Sequence, residues 1–203
     1  MYPSIEIRWF YPGAMPEMLA HWLAAGANRP AGQPTRRDHY LRLPGNAALG
    51  IKLREGGVEV KRREGAGRTV TLAPGVAGQA ERWRKWRFPL AEGRAVAGFL
   101  APPGDWLAVE KKRYLQRYRL EDPGGAVPIE LDQGAERGCE FEISRLRAGD
   151  TIWWSVCFEA FGRESDLERS LMVVAGQVLG GDWPLPLAAG CSCGYPAWLD
   201  GLI

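Results

Sequence analysis

Cys139-Glu140-Phe141-Glu142-Ile143-Ser144, followed after a short break by Ile152-Trp153-Trp154-Ser155-Val156-Cys157-Phe158-Glu159-Ala160-Phe161-Gly162, alternates polar and apolar side chains with a period of two. Successive side chains of a strand point to opposite faces, so each segment reads as a β-strand with carboxylates on one side and hydrophobic groups on the other. One face of the sheet they form is therefore acidic.

Working outward, the same alternation recurs with cations in place of carboxylates. Ser4-Ile5-Glu6-Ile7-Arg8-Trp9-Phe10 reads as a first strand, with Ser4, Glu6 and Arg8 on one face. Arg36 to Leu43 reads as a second. Leu49 to Arg54 and Gly57 to Arg63 follow, joined by a hairpin turn at Glu55-Gly56-Gly57. Alternation puts Lys52 and Arg54 on one face, and Glu59, Lys61 and Arg63 on one face of the next strand. Trp106 to Leu120 is a long strand in which Lys111 and Arg113 share one parity and Glu110, Lys112 and Tyr114 the other; periodicity does not choose which set faces in. Val127 to Asp132 is a short strand after the Asp122-Pro123-Gly124-Gly125 turn.

Helices are few. Met15, Met18, Leu19, Trp22 and Leu23 form an amphipathic stripe ended by Gly26. Ser165-Asp166-Leu167-Glu168 reads as a capping box for a helix through Leu171, Val174 and Val178 that Gly180-Gly181 ends. Val76 to Trp86 is expected as a weaker helix with Ala80, Trp83 and Trp86 on its packing side. The tail, Tyr195-Pro196-Ala197-Trp198-Leu199, is expected to pack on the body. No repeat, linker or low-complexity segment divides the chain, so residues 1–203 are read as one domain. Many strands with short turns give the fold class: α+β, an antiparallel β-barrel or tunnel with a polar interior and a few flanking helices.

A composition of 46% hydrophobic and 25% charged residues is that of an ordinary water-exposed domain. No stretch approaches the roughly 20 apolar residues of a membrane-spanning helix, and Met1 to Arg8 lacks a basic segment followed by an apolar one. The expected location is the cytoplasm, with no membrane partner. Cys139 and Cys157 sit inside strands, and Cys191-Ser192-Cys193 is spaced too tightly for the common zinc patterns, so reduced thiols are expected. The net charge of +2 hides an asymmetry: residues 1–120 carry 21 Lys/Arg against 10 Asp/Glu, a net of +11, while 121–203 carry 5 against 14, a net of −9. Such segregation suggests two separate surfaces or one pocket with a basic and an acidic wall.

Like charges at every second position on neighbouring strands repel, and an anion between them would relieve the repulsion. The order of motifs resembles the CYTH superfamily, the triphosphate tunnel metalloenzymes. Its counterparts here are Glu6 and Arg8, then Lys52 and Arg54, then Lys61, then Lys111 and Arg113, then Glu140 and Glu142, and last Glu159. The resemblance implies a tunnel in which Arg8, Lys52, Arg54, Lys61, Arg63, Lys111 and Arg113 hold a triphosphate or polyphosphate. It further implies that Glu6, Glu140, Glu142 and Glu159 hold Mg²⁺ or Mn²⁺, with Glu140 and Glu142 the catalytic pair for phosphohydrolysis. Inorganic tripolyphosphate and nucleoside or organic triphosphates are the implied substrates. Three departures stand out: Ser4 replaces the first Glu of the opening motif, Arg8 replaces its Lys, and Cys157 replaces a carboxylate. Binding is thus expected to be better preserved than catalysis. One alternative is a non-catalytic member that binds a phosphorylated ligand or a protein. Another is single-stranded nucleic-acid binding through Arg82-Trp83-Arg84-Lys85-Trp86-Arg87, where aromatics between cations could stack on bases; nucleic acid is the less expected partner.

Overall fold

The computed structural model describes residues 2–25, 29–54, 56–90 and 105–202. The expected helix stop at Gly26 and the turn residue Glu55 lie outside them.

The strands are β1 (Tyr2–Pro12), β2 (Ala31–Gly32), β3 (Arg36–Leu41), β4 (Leu49–Arg54), β5 (Gly57–Ala73), β6 (Val76–Pro89), β7 (Trp106–Leu120), β8 (Ala126–Ile129), β9 (Gly138–Ala148) and β10 (Thr151–Phe161). The helices are α1 (Glu17–Ala24), α2 (Leu167–Leu179) and α3 (Tyr195–Asp200). Eight strands run in the order β7-β3-β4-β5-β6-β1-β10-β9, and β9 pairs back onto β7, closing an antiparallel barrel. Closure leaves no free edge among these strands. The short β2 and β8 pair with β7 outside the circle. Among the described residues no helix is long and apolar enough to cross a membrane.

The barrel is inverted relative to a simple globule. Its largest hydrophobic core lies on the outer surface, where Ile5, Ile7 and Trp9 of β1, Phe141 and Ile143 of β9, and Val156 and Phe158 of β10 are buried. Leu167, Leu171 and Val174 of α2 and Leu19 and Trp22 of α1 cover them. Because strand parity is strict, this burial forces Glu6, Arg8, Glu140, Glu142, Cys157 and Glu159 inward. Apolar packing outside thus stabilises charge inside.

Residues 76–89 correct one expectation: they form strand β6, not a helix. β6 pairs with β5 along nearly its whole length and with β1 from Ala80 to Lys85, so its central residues are hydrogen-bonded on both edges. Local propensity yields here to tertiary pairing. Gly78 has no room for a side chain, since a Cβ there would lie 2.5 Å from Ile7 and Trp9 of the neighbouring strand. The capping box is also corrected. α2 begins at Leu167 after a 3-10 turn over Glu164–Asp166, its start carries no side-chain cap, and Glu168 instead pairs with Arg68 at 3.1 Å and Arg82 at 2.5 Å. Gly180 ends α2 at φ −75, without the left-handed turn that favours glycine.

One end of the barrel is filled. Phe10, Tyr40, Val109, Leu146 and Ala148, all with inward parity, form an apolar layer against Trp198 and Leu199 of α3. Trp198 stacks on Phe10 with centroids 4.6 Å apart, and Tyr195 stacks on Tyr40 at 5.3 Å. The Cys191-Ser192-Cys193 segment straps this floor to the wall. Ser192 Oγ donates to the Arg8 carbonyl at 2.9 Å and accepts from the Gln79 amide at 2.8 Å, and the Cys193 amide also donates to Arg8. All four cysteines are free thiols.

Candidate functional site

Above the floor lies a chamber of about 330 Å³ whose wall carries many charged side chains among aromatic and aliphatic ones. The inward parity of β1 supplies Glu6 and Arg8, and that of β4 supplies Lys52 and Arg54. β5 contributes Glu59 and Lys61, β6 Lys85 and Arg87, and β7 Lys111 and Arg113. Arg36 of β3, Glu140 and Glu142 of β9 and Glu159 of β10 complete the charged set. Ten of the eleven residues singled out in the sequence therefore meet on one surface. Arg63 lies off the chamber lining, where its guanidinium donates to Glu81 at 2.8 Å. On β7 the structure resolves the open parity: Lys111 is buried facing inward and Glu110 is exposed.

Carboxylates and cations interlock. Glu142 accepts from Arg8 at 2.9 Å, from Arg113 at 2.5 Å and from the Ser144 hydroxyl at 2.9 Å. Glu6 accepts from Lys61 at 2.5 Å and from Arg8 at 3.2 Å. Glu140 is held by Arg117 at 2.5 Å, Glu159 by Lys85, and Glu59 by Lys52 at 2.9 Å. Beneath the wall Asp38, fully buried, faces Lys111 at 3.1 Å, Arg36 at 3.3 Å and Lys52 at 3.7 Å. A buried charge is tolerable only when paired in this way.

The titration behaviour follows from burial set against the neighbouring charges. Burial alone would raise Glu6, but Lys61, Arg8 and Lys85 outweigh it and lower its carboxyl from 4.5 to about 2. Burial likewise works against Glu142, and Arg8 and Arg113 pull it well below the usual range. Lys52, Lys85 and Lys111 are governed by burial instead. Burial, reinforced by Lys61 and Lys52, lowers Lys85 from 10.5 to about 7. Burial lowers Lys111 as well, against the opposing pull of Asp38, and also lowers Lys52. Nine cations against five carboxylates line the chamber, a formal surplus of four positive charges.

The same geometry bears on the expected Mg²⁺ or Mn²⁺. Such ions prefer several carboxylate or phosphate oxygens gathered around one point. Here Glu6, Glu140, Glu142 and Glu159 are each engaged by a different set of cations, and among the described residues no three His, Cys, Asp or Glu side chains group to hold a metal. Cys157, opposite both Arg8 and Glu142 in the ladder, occupies the place where another carboxylate would join them, and burial pushes its thiol far above neutrality. The residues present do not fit a divalent metal site.

Several lining residues escape a reading by sequence alone. Lys85 and Arg87 are hidden by the expectation of a helix, although Trp83, Lys85 and Arg87 share a parity that a period-two reading would have placed inward. Asp38 and Tyr40 share a face of β3 without any motif to mark them. Tyr195 has no local signal: it reaches the chamber because α3 folds back, setting its ring 4.0 Å from the Lys111 ammonium and 4.8 Å from the Arg8 guanidinium. No protein-family model matches this chain, and no curated protein matches it.

Proposed function

We propose that the chamber binds a short linear phosphate chain, of the triphosphate class, directly through its arginines and lysines and without a divalent cation. The observation that carries this reading is the formal surplus of four positive charges among the residues that line the chamber. A triphosphate ester brings about four negative charges, and charge-assisted bonds from Arg and Lys are the strong ones. Arg8 and Arg113 are held in place by Glu142, and Lys52 and Lys111 by Asp38, so the cations are positioned before a ligand arrives. The closed antiparallel barrel and the order of inward charges support kinship with the CYTH superfamily, which we propose on the same basis. Binding is the function proposed; turnover is not part of it.

Calorimetric titration with phosphate, pyrophosphate and tripolyphosphate, each in EDTA and again in Mg²⁺, tests the proposal. Affinity is expected to rise with chain length and to persist in EDTA. Lys52→Met should weaken tripolyphosphate by about ten- to a hundredfold, because a charge-assisted hydrogen bond contributes roughly 1.5–3 kcal/mol. Binding that appears only with Mg²⁺, or no binding of any of the three at low salt, would overturn it.

A further inference from the structure

Lysine is scarce in this chain and gathered in one place. The sequence holds 21 Arg and five Lys; Lys52, Lys61, Lys85 and Lys111 line the chamber, and the fifth, Lys112, has the outward parity of β7. Charge alone does not account for this, because arginine supplies the positive charge almost everywhere else. A guanidinium keeps its proton at any accessible pH, whereas an ammonium buried among like charges gives it up and becomes a nucleophile. Geometry singles out one of the four. Lys111 is walled in by Asp38 and Tyr40, with 4% of its side chain exposed, and Lys52 lies between Asp38 and Glu59. Lys61 is fixed by Glu6 at 2.5 Å and by the face of Trp83 at 4.5 Å. Lys85 stands directly across the β5–β6 ladder from Lys61, and across the β6–β1 ladder from Tyr2, which is exposed at the end of the barrel away from the floor. Its side chain is 34% exposed and pairs with Glu159. Like charges placed face to face repel, and burial together with Lys61 lowers the Lys85 ammonium to about 7 against the pull of Glu6.

We infer that Lys85 is a covalent capture site, whose amine forms a reversible imine with a small aldehyde or ketone that carries a phosphate group. The phosphate half of the inference rests on the reading of the chamber as a phosphate site; the amine half rests on the placing of the lysines. The guanidiniums of the same chamber hold the phosphate, Arg8 and Arg113 among them, which Glu142 already positions. The neutral Lys85 amine adds to the carbonyl carbon, and the Nζ–C bond forms as the C=O π pair moves onto oxygen. Both amine protons then pass by way of the Glu159 carboxylate to that oxygen, which departs as water with the C–O bonding pair while the nitrogen lone pair closes the C=N bond. One oxygen and two hydrogens leave as water, and nothing is oxidised or reduced. Hydrolysis by the reverse path releases the compound, so the site needs no metal and no further reactant.

The test uses pyridoxal 5′-phosphate and pyridoxal, two aldehydes that differ in the phosphate alone. Each is incubated with the full chain and with Lys85→Arg, which keeps a cation for Glu159 but has no primary amine; borohydride then reduces any imine, and peptide mass spectrometry locates the adducts. Lys112, on the outside, measures unassisted labelling within the same molecule. With limiting pyridoxal 5′-phosphate the parent chain is expected to carry about tenfold more adduct at Lys85 than at Lys112, as an amine that is neutral near pH 7 warrants. Pyridoxal should label Lys85 about tenfold less, for want of the charge-assisted bonds to phosphate. Tripolyphosphate should protect Lys85 and leave Lys112 as it was, and Lys85→Arg should lose the chamber adduct and keep the one at Lys112. Labelling at Lys85 no greater than at Lys112, or labelling chiefly at another chamber lysine, would overturn the inference, and calorimetric binding of tripolyphosphate would then leave the phosphate reading standing. Equal labelling of Lys85 by the two aldehydes would overturn it as well, because the site would select no anion. Phosphate-dependent labelling of Lys85 in a chain that does not bind tripolyphosphate would support the inference and refute the reading of the chamber as a site for the longer chain.

Discussion

Replacing Glu142 by Gln separates an anion chamber from a metal chamber by the sign of its effect. The carboxylate is buried and engaged by two guanidiniums, Arg8 at 2.9 Å and Arg113 at 2.5 Å. Removing one member of such a cluster costs about 3–5 kcal/mol, which for a domain of this size lowers the melting temperature by roughly 6–20 °C. The lining surplus grows from four positive charges to five. At an effective dielectric of 20 a unit charge about 6 Å away contributes roughly 3 kcal/mol. Water and counterions at the open mouth reduce this, as does the lost hold of Glu142 on Arg8 and Arg113, and the remainder has tripolyphosphate binding the variant about tenfold more tightly than the parent. Thermal unfolding with and without tripolyphosphate, in EDTA and again in Mg²⁺, reads both effects: a lower melting point alone, and a larger upward shift on adding ligand in either buffer. If Glu142 bridged a metal to the phosphate, the ligand shift would shrink instead. A variant that melts within 2 °C of the parent, or one whose ligand shift is smaller, refutes the reasoning.

Two further outcomes follow from other parts of the chamber. Lys85 is lowered to about 7 by burial and by Lys61 and Lys52, and about a third of its side chain is open to solvent. A bound polyanion raises its affinity for a proton, so tripolyphosphate affinity should fall as pH rises from 7 to 9, by at most about tenfold per unit, and Lys85→Met should flatten that slope. Without ligand the sign reverses. The unfolded chain holds the Lys85 proton up to 10.5 while the folded chain releases it near 7, so stability from this group rises across that window and is least below it. A melting temperature that drops between pH 7 and 9 in the parent but not in Lys85→Met would contradict the assignment. At the floor, a Cβ on Gly194 would lie 2.5 Å from Glu81 Oε2 and 2.7 Å from the Trp83 ring. Gly194→Ala should therefore cost about 1–3 kcal/mol, measured by denaturant unfolding; an unchanged midpoint would mean that the floor yields freely.

Much of the barrel was legible because its strands bury one face and ionise the other. The pairs Glu140/Glu142, Lys52/Arg54 and Glu6/Arg8 can alternate in sequence only if a wall has two unlike sides, and the structure has that wall. β6 was less legible, since Trp83 and Trp86 at a spacing of three imitate a helical stripe; the decisive contacts come from β1, which is remote in sequence, and from β5, the strand just before it. The contribution of Tyr195 and the ion pairs that engage each glutamate lay beyond reach for a related reason. Parity states which side a residue faces, not which partner waits there, and the partners of Glu142 are 134 and 29 residues away. The expectation of an acidic wall facing a basic one therefore missed the interlocking that makes the carboxylates props for the cations.

The strap at Ser192 and the stacked rings of Tyr195 and Trp198 make the chamber's floor a piece contributed by a segment distant from most of the wall. Such a piece can open by itself while the eight-strand ladder stays intact. Its opening would change a vessel with one entrance into a pipe with two, so that a seated chain could depart from either end. The residence time of a ligand is then set by the lifetime of a few hydrogen bonds at Arg8 and Gln79 as well as by its own ion pairs. Amide exchange at Ser192 and Cys193 would follow that second exit directly.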